Sequence, residues 1–246
     1  MNKLKALLIF TLCLFALLSC GIEDIPYLPQ ISESGITTES TSKADITIPT
    51  LLKSISYATG YVIYYKIYII STEYGTVPEL ISNNSRISSD YNALYSYTDP
   101  SNASSIPSLN TFKGRGFYEL ELEKSNIGDI LEKSKEPISF SIQFQPIDGK
   151  KPFINSENNP IYRSTGGGAF NPKPTGAGYR YFFSSPEMND YANAIPTVNA
   201  DVSGQSGVSD FAYAAMYIVA VGTKSDFSKL YGKPTFINIF KLPNMN

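Results

Sequence analysis

Hydrophobic residues in this chain come in short bursts, and most bursts alternate with a period of two. The densest is Tyr61–Ile70, YVIYYKIYII. Its β-branched and aromatic content predicts a strand. Apolar side chains fall on both of its faces, with Tyr61, Ile63, Tyr65, Ile67 and Ile69 on one and Val62, Tyr64, Tyr68 and Ile70 on the other. A strand apolar on both faces belongs in the centre of a sheet or beneath an inserted segment. FYELELE (Phe117–Glu123) and ISFSIQFQPI (Ile138–Ile147) alternate cleanly and predict two more strands. Phe211–Val221 and Thr235–Phe240 close the chain as strands, Ile46, Ile48 and Leu51–Tyr57 suggest early ones, and Tyr179–Phe183 suggests a short one. Residues 71–115 read as loops with short helical or strand pieces. Residues 148–210 read as loop-like, with strands too short to resolve by pattern. One short helix is predicted over Asn126–Lys135, capped by Ser125 and stopped by Pro137. The pattern is that of an all-β chain, β-rich with short helices.

The first twenty residues break this pattern. Lys3 and Lys5 precede a largely apolar run, Ala6–Leu18, which is followed by Ser19 and Cys20. A helix needs roughly 20 residues to span a bilayer, so this run is too short for a membrane anchor. A basic start, a short apolar middle and a small residue before the cut fit a cleaved signal. LLSC at Leu17–Cys20 resembles the lipobox of bacterial lipoproteins. The resemblance implies a signal peptide at residues 1–19 and lipidation of Cys20, which becomes the first mature residue. Several acyl chains together anchor a protein stably where one does not. Cys13 leaves with the leader, so Cys20 is the only mature cysteine and no intramolecular disulfide can form. Residues 20–45, rich in Ser, Thr and Glu with Pro26 and Pro29, read as a flexible tether. The folded domain is then expected over 46–246.

Composition narrows the chemistry. Loss of residues 1–19 leaves 18 basic against 22 acidic residues, a net charge of −4, which argues against nucleic acid as a partner. The chain has 18 Tyr and 14 Phe but no Trp and no His. Without histidine there is no Ser-His or Cys-His nucleophile and no imidazole metal site.

Two segments resemble a fibronectin type III domain. GYVIYYK (Gly60–Lys66) is similar to that family's third strand. MYIVAVG (Met216–Gly222) followed by YGKPTFI (Tyr231–Ile237) is similar to its last two, with Gly232 and Pro234 at the step between them. The resemblance implies an immunoglobulin/fibronectin III-like sandwich, and makes Tyr217 the candidate corner tyrosine, its hydroxyl tied to nearby backbone. The family's second-strand Trp is absent. The third and sixth strands are separated by about 140 residues, which implies a large insertion at about 71–210. Leader, composition and sandwich together are similar to the paralogous lipoproteins of spirochaetes.

Motifs that could carry chemistry are few. Glu119, Glu121 and Glu123 share one strand face. Carboxylates about 7 Å apart along a strand neither surround a calcium ion nor face each other across a cleft, so they read as a solvated face. Gly166–Gly168 and Thr175–Gly178 lack the context of a phosphate-binding loop. Ser203–Gly207 lacks one residue of a nucleophile elbow. Ser40–Lys43 fits S-x-x-K but falls in the expected tether. Tyr91, Tyr95 and Tyr97 suit a ligand- or protein-contact surface. No catalytic, cofactor-binding or metal-ligating residue is assigned. The expected function is that of a lipid-anchored cell-envelope protein of structural or interaction type, not an enzyme, held to a membrane through its N-terminal lipid. Its expected place is the outer membrane, with the periplasmic or surface face left open. The alternative is a surface adhesin or glycan- or protein-binding module using inserted loops near 84–115 and 150–210, with a carboxylate-based hydrolase as a third reading.

Overall fold

The computed structural model of the chain describes residues 27–38, 40–95, 112, 115–122, 127–144, 152–159, 161–163, 202–203, 211–225, 227 and 229–242. The protein is mostly β, built on two sheets whose strands pair almost entirely antiparallel. Two thirteen-residue strands, β3 (Ala58–Ile70) and β9 (Phe211–Thr223), form its axis. They pair antiparallel from Ala58 opposite Gly222 to Ile70 opposite Phe211, with one irregularity between Ala58 and Gly60. Bulky residues of β3 meet small ones of β9: Tyr61 lies opposite Ala220, Ile67 opposite Ala214 and Ile69 opposite Ala212. Such large–small pairing lets the sheet pack densely against other layers.

On the far side of β9 run β10 (Lys229–Tyr231) and β11 (Thr235–Lys241), both antiparallel to it. They form one edge broken at Gly232–Pro234, where proline has no amide hydrogen to give the ladder. A bulge between Phe236 and Asn238 interrupts β11. On the far side of β3 lies β4 (Tyr118–Glu121), followed by β7 (Tyr162–Arg163), and β8 (Val202–Ser203) pairs parallel with Ile67 and Tyr68.

The second sheet has the order β1 (Ile36–Thr38), β2 (Lys43–Ile48), β5 (Ile138–Gln143), β6 (Phe153–Ile154). Here the alternation read from the sequence appears directly. Ala44, Ile46 and Ile48 of β2 and Ile138, Phe140 and Ile142 of β5 point inward, while Thr47 and Ser139 face water. These inner residues meet Tyr61, Ile63, Tyr65, Ile67 and Ile69 of β3 and Ala214, Met216 and Ile218 of β9 in one core.

The opposite face of the β3–β9 sheet has a core of its own. Tyr64, Tyr68, Tyr213 and Tyr217 pack under two helices, α1 (Val77–Asn83) and α2 (Ser85–Tyr95), with Leu80, Ile87, Leu94, Phe112 and Phe117. Thr76 and Glu79 form a capping box at the start of α1. Asn84 ends α1, and its side chain accepts from the amides of Arg86 and Ile87, which starts α2. The architecture is therefore three layers: sheet, sheet, helices. This explains why β3 is apolar on both faces, because it is both central in its sheet and covered on each side.

Three expectations change. The 20–45 tether is packed in its described part: Leu28 and Ile31 are fully buried, and β1 and half of β2 lie within it. Thr235 donates its hydroxyl to the carbonyl of Ile31 at 2.8 Å, Gln30 donates to that of Pro234, and Asn238 donates to that of Ser40 at 2.8 Å. Polar composition misled here because few apolar side chains do the packing, and side-chain hydrogen bonds from the last strand hold the rest. The predicted helix over 126–135 is, in its described part, a run of turns ending in a 3₁₀ turn at Lys133–Lys135. The amide of Tyr61 bonds the carbonyl of Leu131, and Glu132 bridges to Gly60, so sheet pairing overrides helix propensity. The stretch 71–210, expected as an insertion, supplies part of the second sheet itself, because β5 pairs with all six residues of β2.

Leu28→Ala should lower unfolding free energy by about 2–5 kcal/mol, read by urea denaturation. A change near zero would return this segment to a tether.

Candidate functional site

The most concentrated charge among the described residues is buried between α2 and the sheet. Alternation along β3 places Lys66 with Tyr64 and Tyr68 on the helix-facing side. Asp90 of α2 meets it: Lys66 Nζ lies 2.6 Å from Asp90 Oδ2, and the Tyr68 hydroxyl donates to the same oxygen at 2.7 Å. Arg115 Nη1 lies 3.2 Å from Asp90 Oδ1. Lys66 Nζ also sits 5.1 Å from the Tyr68 ring centre and 5.5 Å from that of Phe117, within cation–π range. Burial, reinforced by the negative charge of Asp90 and the hydrogen bond to it, pushes the Tyr68 phenol well above its ordinary pKa, so Tyr68 stays a neutral donor. Both carboxylate oxygens are thus engaged by donors from the protein's own framework, and Arg115 is the most exposed member. The cluster fastens the helix layer to the sheet. The sequence pattern marks Lys66 only as a break in an apolar run, and Asp90, in a stretch read as loop, gives no periodic signal.

A second buried carboxylate lies at the other end of β3. Glu136, 5% exposed, accepts from the amide of Leu52 at 2.9 and 3.0 Å and of Lys53 at 2.9 Å. The Tyr61 hydroxyl donates to it as well. Burial, then the bond to Glu136 and its charge, raise the Tyr61 phenol. Glu136 therefore ties the loop between β2 and β3 to the start of β3.

Other sequence candidates are not brought together. Tyr91 lies on α2, not in a loop, and its ring packs edge-on to Phe236 with centres 5.3 Å apart. Tyr95 closes α2, and its side chain, like all of Tyr97, lies outside the described residues. Cys20, Gly166–Gly168 and Thr175–Gly178 lie outside them too, as do residues 204–207 of the Ser203–Gly207 motif. The Glu119 face is not simply solvated, since Phe117 beside it is fully buried and Glu119 accepts from the Tyr64 hydroxyl at 3.1 Å. In the S-x-x-K segment, Ser40 and Ser42 hydroxyls bond each other at 2.6 Å, and Lys43 pairs with Asp45 at 2.8 Å. Tyr217 is mid-strand in β9, its ring edge-on to Phe117 and Phe236. A tyrosine tied to backbone exists four residues earlier: the Tyr213 hydroxyl accepts from the Tyr74 amide at 2.9 Å and donates to its carbonyl at 3.1 Å.

A recess of about 350 Å³, open to solvent, lies beside the N-terminal segment and is lined by Gln30–Ser34 and Lys233. Among the described residues, no three carboxylate or thiol side chains gather to hold a metal, and no helix is long and apolar enough to cross a membrane. The large apolar side chains left exposed among these residues are Tyr27, at 42%, and Phe227, at 88%.

Asp90→Ala strands Lys66 without its buried partner and should cost about 3–5 kcal/mol. In a denaturation cycle, the double variant Lys66→Met/Asp90→Ala should cost clearly less than the two single changes added; simple additivity would show that the pair is not coupled. A pH prediction comes from the tyrosines. Tyr61, Tyr64, Tyr68 and Tyr217 all have phenols raised chiefly by burial. Above the ordinary tyrosine pKa of about 10, the native state keeps protons that the unfolded chain loses. Their contribution is therefore complete below pH ~10 and falls as pH rises further. Tyrosinate absorbance from these four should appear together with loss of near-ultraviolet circular dichroism. Ionisation of all tyrosines before unfolding would contradict it.

No protein-family model matches the chain, and no curated protein or solved structure matches it significantly.

Proposed function

We propose that the chain is a lipid-anchored protein of the bacterial cell envelope, of the kind spirochaetes carry, held at the outer membrane through Cys20 and serving a structural or interaction role. The observation that carries this reading is the leader itself: a basic start, a largely apolar run of thirteen residues and LLSC, ending seven residues before Tyr27. The folded part supports it in two ways. The buried carboxylates Asp90 and Glu136 serve as fastenings between elements, which is what a structural domain asks of them. The sandwich is of immunoglobulin/fibronectin III type. In support, β2 and β5 are neighbours on one sheet while β3, β9 and β10–β11 are neighbours on the other, the division that separates strands B and E from C, F and G. It differs in carrying a helix layer, and in β6, an edge strand that follows β5 in sequence.

Metabolic labelling with a radioactive fatty acid should mark the wild-type chain and not Cys20→Ala. Equal labelling of the two would remove the anchor.

A further inference from the structure

The β9–β10 hairpin carries a residue that the fold does not use. Phe227 is 88% exposed and its backbone has φ of 64°, a region unfavourable for a bulky side chain. Its amide closes a turn onto the Lys224 carbonyl at 3.0 Å. An aromatic ring held in water on a strained backbone gains nothing from packing, which makes it a candidate for contact with something else. Lys224 and Lys229 flank it, and Lys53 is exposed on the loop at the same end of the sheet. Of the acids placed there, Asp129 pairs with Lys135 at 2.6 Å and Glu136 is buried, while Glu132 is exposed and accepts from Ser134. Asp226 is the acidic residue of the hairpin sequence itself.

The same end receives the N-terminus. The Tyr27 carbonyl accepts from the Tyr57 hydroxyl at 2.9 Å, and the Tyr57 carbonyl accepts from the amide of Thr223, where the hairpin begins. Exposed Tyr27 is thus about one tyrosine side chain from the base of the hairpin. Seven residue steps separate Cys20 from Tyr27, at most about 25 Å of fully extended chain. A thirteen-residue strand such as β3 measures about 43 Å, so a lipid on Cys20 holds this end near the bilayer and cannot bring the opposite end to an equal distance without laying the domain flat.

We propose that the β9–β10 hairpin is a membrane contact. Phe227 enters the interfacial region of the bilayer that holds Cys20, and Lys224, Lys229 and Lys53 lie against anionic headgroups. The pieces fit that partner: an apolar ring partitions into the headgroup–acyl boundary, and lysine stems reach along it with the charge at the phosphates. The proposal rests on the lipid-anchor reading.

The chain has no tryptophan, so Phe227→Trp introduces a single tryptophan, excited selectively over the tyrosines, at a site too exposed to disturb packing. Full-length protein bearing this change, made with its leader and recovered in the membrane fraction, is transferred to vesicles of phosphatidylglycerol and phosphatidylcholine, some with acyl chains brominated near the headgroup. Ser71→Trp, at the opposite end of β3, is the control. The expected result is emission shifted to shorter wavelength and quenched by brominated lipid for Phe227→Trp, with solvent-like, unquenched emission for Ser71→Trp. Vesicle-bound protein with solvent-like emission from Phe227→Trp overturns the hairpin contact and leaves the anchor standing. Quenching of both probes also overturns it, because the domain then lies flat. Protein that fails to float with the vesicles removes the anchor, and the hairpin contact with it.

Discussion

The pairing of β3 with β9 is the constraint on which everything else depends. It runs nearly the whole length of both thirteen-residue strands, from Ala58 to Ile70 against Gly222 to Phe211. Because side chains alternate, its register decides which residues enter which core, and a slip of one residue would exchange the two sets. If β3 slipped against a fixed β9, Tyr65 and Ile67 would face the helices, and Lys66 would enter the core between the sheets. Glycines permit close packing at one end of this pairing. A Cβ on Gly60 would sit 2.3 Å from the Leu131 carbonyl oxygen, and one on Gly222 would sit 2.5 Å from that of Tyr57, closer than any side chain tolerates. The close approach of the 127–137 turns and the β2–β3 loop is possible only at those two positions.

Polar groups fix what the apolar faces leave undetermined. Apolar contact is non-directional, so it does not by itself set where α2 sits along the sheet. Asp90 does, because it must meet Lys66, Tyr68 and Arg115 together. Tyr213 does the same for the chain leading into α1, through both backbone groups of Tyr74, and Glu136 for the loop before β3. A buried ion pair adds little net stability over a well-packed apolar pair. These groups are better understood as positioning devices, each costly to leave unmatched.

The sequence was legible where burial was extensive and periodic. β3, β5, β9 and β11 follow from alternation or from doubled apolar faces, and the β-rich class follows from them. What escaped was built from isolated residues. Leu28 and Ile31 are two apolar side chains among Pro, Gln, Ser and Glu, a composition indistinguishable from a linker until the strand they pack against is known. The α1–α2 pair carries its buried face on Leu80, Ile87 and Leu94, seven residues apart, amid Ser and Asn that dilute the signal. Lys66 and Asp90 are 24 positions apart, and no local pattern joins residues that meet only through the tertiary fold.

The early start of the domain changes what the proposed lipid anchor would imply. A tether reaching residue 45 would be about 25 residues long, with a root-mean-square reach of roughly 28 Å, and would let the domain turn freely above a bilayer. Burial of Leu28 shortens the stretch between Cys20 and the packed chain to about seven residue steps, at most about 25 Å even if fully extended. Effective concentration rises steeply as a linker shortens, provided it still spans the gap. Under the proposed anchor, the end of the sheet that holds Tyr27, Tyr57 and the β9–β10 hairpin would be the one nearest Cys20, while α1 and α2 cover a lateral face of the same sheet. Packing thus fixes the direction in which the chain leaves the domain at Tyr27: Leu28 and Ile31 are buried, and Thr235 and Asn238 of the last strand bond the carbonyls of Ile31 and Ser40.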